Sequence, residues 1–108
     1  MSGVVELRVY TLKPGTRAAF QERAEQQILP MLARFGITVV HAGPSLHDEN
    51  GFCLVRAFPS VAERERQLAI FYGSEEWLTR HNDAVLAMIE RYATCVVPAE
   101  ALGFAAAQ

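Results

Sequence analysis

Signatures of metal, nucleotide and covalent chemistry are missing from this chain of 108 residues. Its two cysteines, Cys53 and Cys95, sit far apart inside apolar runs, without a CxxC or CxxH neighbour. Such cysteines read as buried, reduced thiols acting as small hydrophobes. His41, His47 and His81 form no His-x-His, His-x-x-x-His or Glu-x-x-His pattern, and Asp48 and Glu49 read as a solvated hairpin tip. No metal site and no cofactor is expected. No glycine-rich phosphate loop exists, and Gly43-Pro44-Ser45 reads as a strand break. No Ser or Cys has an identifiable base, so no catalytic residue is assigned.

Charge of one sign is equally scarce. The formal net charge is -2, with acids and bases interspersed, so no basic stripe exists to neutralise phosphates and nucleic acid is not an expected partner. No apolar run approaches the ~20 residues a bilayer span requires. Met1-Ser2-Gly3 leads straight into a strand-like run with no charged n-region, so no secretory signal and a cytoplasmic location are expected.

What is present is apolar periodicity. The hydrophobic fraction is 51%, slightly high for a single small domain that buries only about two-thirds of its unfolded surface. Val4 to Leu12 reads as a strand ended by Pro14-Gly15. Thr16 is the expected N-cap of a helix running to Arg34, with Phe20, Ala24, Ile28 and Met31 on its buried face and Pro30 kinking or breaking it. Ile37 to Ala42 and Phe52 to Phe58 read as a hairpin turning at Asp48 to Gly51. Ser60-Val61-Ala62-Glu63 is a capping box opening a second helix, which carries Leu68, Phe71 and Tyr72 inward and breaks near Gly73. It resumes after Ser74 with Val85, Met88, Ile89 and Tyr92 inside, and Ala93 to Val97 is a fourth strand.

The order predicts an α+β, ferredoxin-like βαββαβ domain: a four-stranded antiparallel sheet with helices on one face. The domain is expected over residues 1–98, with a tail at 99–108 that is frayed or a short appended helix. Both faces of the first and third strands carry large apolar residues, whereas a solvated face should be mainly polar. A second copy of the chain is the simplest cover, so a homodimer is expected.

Glu6, Arg8 and Tyr10 on the first strand and Arg56 on the third share the more polar strand face. They form either a cross-strand ion pair or a polar patch aimed at a ligand carboxylate or enolate. Arg64 falls on the inward stripe of its helix and needs a buried carboxylate, a carbonyl or an anionic ligand. Trp77 and His81, four apart, stand with Arg80 and Tyr72 at the end of the sheet. Arg8, Tyr10, Arg56, Arg64, Tyr72, Trp77, Arg80 and His81 are thus the candidate ligand-binding residues, each with a structural alternative.

Two stretches resemble the NIPSNAP family. The first is Glu6-Leu7-Arg8-Val9-Tyr10-Thr11-Leu12-Lys13-Pro14-Gly15. The second runs from Arg56-Ala57-Phe58-Pro59-Ser60-Val61-Ala62-Glu63-Arg64-Glu65 to Phe71-Tyr72-Gly73-Ser74-Glu75-Glu76-Trp77. The resemblance spans residues 4 to 98 and implies a ferredoxin-like fold of the dimeric α+β barrel kind, with Glu6, Arg8, Tyr10, Ser60, Arg64 and Trp77 at family-pattern positions. Arg56 stands where many relatives carry an aromatic. Three functions follow: a homodimer binding a small apolar or aromatic ligand; a cofactor-independent monooxygenase or isomerase on an aromatic or polyketide-like compound, with Tyr10 or His81 as base and Arg56 stabilising an enolate; or an interaction module whose interior its own side chains fill.

Overall fold

In the computed structural model, which describes residues 3–103, β1 (Val4–Leu12) is flanked on both sides by antiparallel partners. The helical stretch that follows β1 comprises α1 (Arg17–Arg23), a π-helical turn (Ala24–Ile28) and α2 (Leu29–Arg34). Next come β2 (Thr38–Pro44), β3 (Gly51–Phe58) and α3 (Val61–Tyr72). A second π-helical turn (Trp77–His81), α4 (Asn82–Met88), β4 (Ile89–Pro98) and a 3-10 turn (Ala99–Leu102) complete it. The strand order is β2-β3-β1-β4, so the βαββαβ, ferredoxin-like architecture is observed.

Local chemistry explains most boundaries. Pro30 does not break its helix; the backbone stays helical from 17 to 34. The Leu29 N–H donates to the Ala24 carbonyl, five residues back, and this wider turn gives the Pro30 ring room against the preceding carbonyls. Gly36 ends α2 at φ +77, a left-handed conformation that favours glycine. Ser60 caps α3, its Oγ accepting from the Glu63 N–H at 3.0 Å. The reciprocal half of the expected capping box is absent, because the Glu63 carboxylate is taken by Arg66 at 2.7 Å. Thr16 does not cap α1 either. Its Oγ1 donates to the Lys13 carbonyl at 2.7 Å and the Met88 carbonyl at 3.3 Å, closing the turn and pinning it to the end of α4.

The last strand is longer than its apolar pattern indicated. Ile89 and Tyr92, expected on the inner stripe of a helix, lie on β4. Helical and strand spacing overlap there, and pairing with β1, Leu12 opposite Ile89 and Tyr10 opposite Tyr92, decides the outcome. The 3-10 turn at Ala99 continues from β4, and the remainder of the expected tail, 104–108, lies outside the described residues.

Register assigns the two sheet faces. Glu6, Arg8, Tyr10, Leu12, Phe52, Leu54, Arg56 and Phe58 lie on the side that the helices cover. There Tyr10 packs at a tilt and Phe52 edge-on against Phe20, and Phe71, fully buried, meets Phe35 and Trp77 at ring distances of 5.3 and 5.4 Å. Each such aromatic pair adds about 0.5–1.5 kcal/mol beyond its buried area. The other face presents Val5, Leu7 and Val9 of β1, Cys53, Val55 and Ala57 of β3, and Ala93, Cys95 and Val97 of β4. Among the described residues only the Ala99 turn folds onto it, burying Val5 and Val55, while Val9 stays 53% exposed. The cysteines are therefore not core thiols within this chain: Cys53 is half-buried and Cys95 exposed, because both point to the open face. No helix among the described residues is long and apolar enough to cross a membrane.

Candidate functional site

Beneath the helices, on the strand face that carries its charges, the chain gathers three arginines around one carboxylate. Glu6 and Arg56 are directly opposite in the β1–β3 register and both side chains are 0% exposed. Arg56 Nε donates to Glu6 Oε1 at 2.7 Å. Arg64, reaching down from α3, donates to Oε2 through Nε at 2.8 Å and lies 2.7 Å from it through Nη2. Arg8, two residues along β1, is 3.7 Å from Oε2. Burial pushes the Glu6 carboxyl up, but the Arg56 and Arg8 charges and the Arg56 and Arg64 hydrogen bonds outweigh it, holding it below its usual range.

Tyr72, at the end of α3, joins the cluster from above. Its hydroxyl accepts from Arg56 Nη1 at 2.9 Å and from Arg8 Nη1 at 3.3 Å. The Arg8 guanidinium carbon lies 5.0 Å from the Tyr92 ring centroid and 5.9 Å from that of Tyr72, while its Nε donates to Thr94 Oγ1 at 3.2 Å. Burial lowers the Arg8 pKa, but the Tyr72 and Tyr10 phenols and Glu6 more than offset it, so Arg8 stays charged. The side chains of Arg8 and Arg64 remain 13% and 18% exposed. Beside them on β4, Tyr92 and Thr94 are exposed.

Tyr10 lies on the same face but deeper, packed on Phe20 and Tyr92. Burial and the neighbouring Tyr72 push its phenol up to about 12, so at neutral pH it is a donor and a poor base. Trp77 and His81 sit one layer further on. Trp77 packs against Tyr72 at 4.9 Å and His81 at 5.7 Å, and its Nε1 donates to Asn82 Oδ1 at 3.2 Å. The buried His81 is clasped by Arg23, whose Nη1 stands 3.0 Å from Nδ1 and 3.2 Å from the Arg80 carbonyl. A guanidinium can only donate, so His81 Nδ1 is the acceptor and the ring proton is on Nε2. Burial and the Arg23 charge lower its pKa, against a smaller upward pull from Glu76. Arg80 joins only through its carbonyl; its residue is otherwise exposed.

Of the eight candidates, Arg8, Arg56, Arg64 and Tyr72 are in direct mutual contact or share Glu6, Tyr10 borders them, Trp77 and His81 extend the cluster through Tyr72, and the Arg80 side chain stays apart. Sequence reasoning named Arg23 nowhere. It lies on α1, far from the site in sequence, and no spacing links it to His81. Surface concavities of about 320 Å³, between α1 and α4, and about 580 Å³, beside α2 and β2, touch none of the eight. Among the described residues no group of three or more His, Cys, Asp or Glu side chains could hold a metal ion.

The fold is shared with solved structures of low sequence identity. An uncharacterized NIPSNAP-like domain protein from Burkholderia xenovorans is 17% identical, with a TM-score of 0.80 over 88% of this chain and 83% of that one. A NIPSNAP family protein with unknown function from Agrobacterium tumefaciens is 22% identical, with a TM-score of 0.79 over 89% of this chain and 86% of that one. A candidate antibiotic biosynthesis monooxygenase from Nitrosomonas europaea is 18% identical, with a TM-score of 0.66 over 87% and 95%. No curated protein sequence matches this chain. The family sequence model described as NIPSNAP matches residues 5–100, including both β1 with Glu6, Arg8 and Tyr10 and the Arg56-to-Trp77 stretch, and the chain belongs to the NIPSNAP family.

Proposed function

We propose that this protein is a homodimer that binds a small apolar or aromatic ligand in a crevice between α3 and β4, where Arg8 meets Tyr72 and Tyr92. The carrying observation is the position of Arg8: charged and part-buried, it lies within 6 Å of two tyrosine rings, one of them on a strand exposed to solvent. A side chain with only structural duties would be served by Glu6 alone. Here the rings of Tyr72 and Tyr92 offer a ligand flat apolar surface beside fixed donors, the usual make-up of a small-molecule site. Isothermal titration of the full chain with a neutral aromatic such as indole tests this; saturable binding at one site per chain is expected, with amide shifts at residues 72 and 92. Shifts confined to the α1–α4 or α2–β2 concavities would reject the crevice.

The dimer is supported by the open sheet face, where the aliphatic, alanine and cysteine side chains of β1, β3 and β4 form a continuous patch from Val5 to Val9, with Thr11 and Arg91 at one end. A second copy offers the same aliphatic surface, and the one charge on this face among the described residues, Arg91, stands at its end with a side chain 72% exposed. Light scattering should give twice the chain mass, and Leu7→Lys should halve it; a wild-type monomer at micromolar concentration would refute the pairing.

A second reading has its own observation. Glu6, Arg56 and Trp77 are packed against protein on every recorded contact, which favours a non-catalytic interaction module with a filled interior. The monooxygenase or isomerase alternative has the shared fold behind it. In this chain its two candidate bases are a phenol raised to about 12 and an imidazole whose Nδ1 is occupied, so it ranks below both.

A further inference from the structure

The electrostatic account of the arginine cluster does not close within the chain. Three guanidiniums face one carboxylate, a surplus of two positive charges in a site from which water is partly excluded, where unpaired charge is costly. Their hydrogen bonding is incomplete in the same way. Each arginine keeps at least one terminal nitrogen without a directed bond among the described residues. On Arg64 it is both, since only Nε makes a directed bond to Glu6 Oε2, Nη2 lying 2.7 Å from that oxygen as an ion-pair contact. On Arg8 it is Nη2, held 3.7 Å from that oxygen while Nε and Nη1 serve Thr94 and Tyr72. On Arg56 it is the sealed Nη2, which lies 2.7 Å from Glu6 Oε1 but does not aim at it. Tyr72, accepting twice, has a proton with no recorded acceptor.

We propose that the ligand of this crevice is an aromatic carboxylic acid, its carboxylate taken by Arg8 and Arg64. The inference rests on the crevice reading given above and narrows its ligand class. Arg8 and Arg64 are the two cluster arginines that reach solvent, and each has a terminal nitrogen without a directed bond, so that together they can meet the two oxygens of a single carboxylate. Arg56 is sealed behind them and keeps Glu6 in place. The Tyr72 proton supplies a third donor at the same end, and the exposed Tyr92 ring beside Arg8 offers the aromatic body an apolar surface.

Titration calorimetry of the full chain with benzoate, benzamide and phenyl phosphate, with amide shifts mapped in parallel, tests this without any substitution. The expected result is benzoate at least tenfold tighter than benzamide, weakening as salt is raised, with shifts at residues 8, 64, 72 and 92. Equal affinity for benzoate and benzamide in the crevice would overturn the head-group assignment and leave the aromatic site standing. Phenyl phosphate binding tighter than benzoate would overturn the carboxylate in favour of a tetrahedral oxyanion. Failure of all three to bind would remove both readings. Arg8→Gln should cost benzoate at least tenfold and leave benzamide within twofold; unchanged benzoate affinity in a folded Arg8→Gln protein would also overturn the assignment.

Discussion

Replacing Glu6 by Gln probes the centre of the cluster with almost no change of shape. Arg56 is sealed at 0% exposure and cannot turn to water, so the substitution strands a buried guanidinium whose only charged partner is gone. Removing one member of a buried ion pair costs about 3–5 kcal/mol, a large share of the roughly 5–15 kcal/mol that holds a domain of this size together. At about 4–8 °C per kcal/mol the melting temperature should fall by roughly 12–40 °C. Urea unfolding followed by the fluorescence of Trp77, the sole tryptophan, should show a lower midpoint at unchanged slope. Adding Arg56→Met to Glu6→Gln should recover part of the loss, because the stranded charge leaves and Arg8 and Arg64 can still meet solvent. A loss below about 1 kcal/mol, the scale of an exposed pair, would refute the argument. So would a double variant less stable than Glu6→Gln alone.

Acid should act through the same group. The folded Glu6 carboxyl lies below its unfolded value, so the unfolded chain takes up its proton first; the stabilisation is whole above the ordinary carboxylate range and is lost as pH falls through and below it. Equilibrium unfolding at stepped pH should show this decline, and Glu6→Gln should flatten it. Ser60→Ala removes the acceptor for the Glu63 N–H and should cost about 1 kcal/mol in the same urea assay, with Ser60→Asp keeping most of it. Gly51→Ala would place a Cβ 2.8 Å from that of Ser45 and 3.3 Å from that of Asp48. Crowding of this kind should destabilise the β2–β3 hairpin by about 1–3 kcal/mol, read as faster amide exchange at residues 45–52.

Element order was legible because each boundary had a local cause: the Pro14-Gly15 turn, Gly36 after α2, Ser60 before α3 and the break at Gly73. What failed locally failed for tertiary reasons. Thr16 has the chemistry of a cap, but the Met88 carbonyl, far along the chain, competes for its hydroxyl. Ile89 and Tyr92 fit a helical stripe and were taken by β1 through strand pairing. At the site, the inward position of Arg64 and its need for a carboxylate were readable from spacing, and Glu6 was available on the right strand face. That one carboxylate would serve three arginines depends on register and on where α3 crosses the sheet, which no periodicity encodes. The Arg23–His81 clasp joins the ends of two π-helical segments, and neither segment has a sequence signature to announce it.

The two faces of the sheet divide the work in an order that looks inverted for one chain. The helices cover the face with Glu6, Arg8 and Arg56, while the centre of the face left to solvent is built from Val, Leu, Ala and Cys, with Thr11 and Arg91 at one end. An apolar sheet surface in water and arginines under helices are both unfavourable when taken singly. They make sense together if each face expects something the chain does not supply. A second copy would bury the aliphatic face, and an acid entering from the β4 side would complete the charged one. β4 lies on both boundaries. Its Ala93 and Cys95 belong to the open face, while Tyr92 and Thr94 line the crevice. Any partner that orders this edge strand also fixes the Tyr92 ring and the Thr94 hydroxyl beside Arg8. Pairing should therefore tighten ligand binding, and by linkage the ligand should tighten pairing by the same factor. Dilution of the wild-type protein into the dissociating range with and without benzoate measures that factor directly, and a dissociation constant indifferent to benzoate would separate the two faces as independent devices.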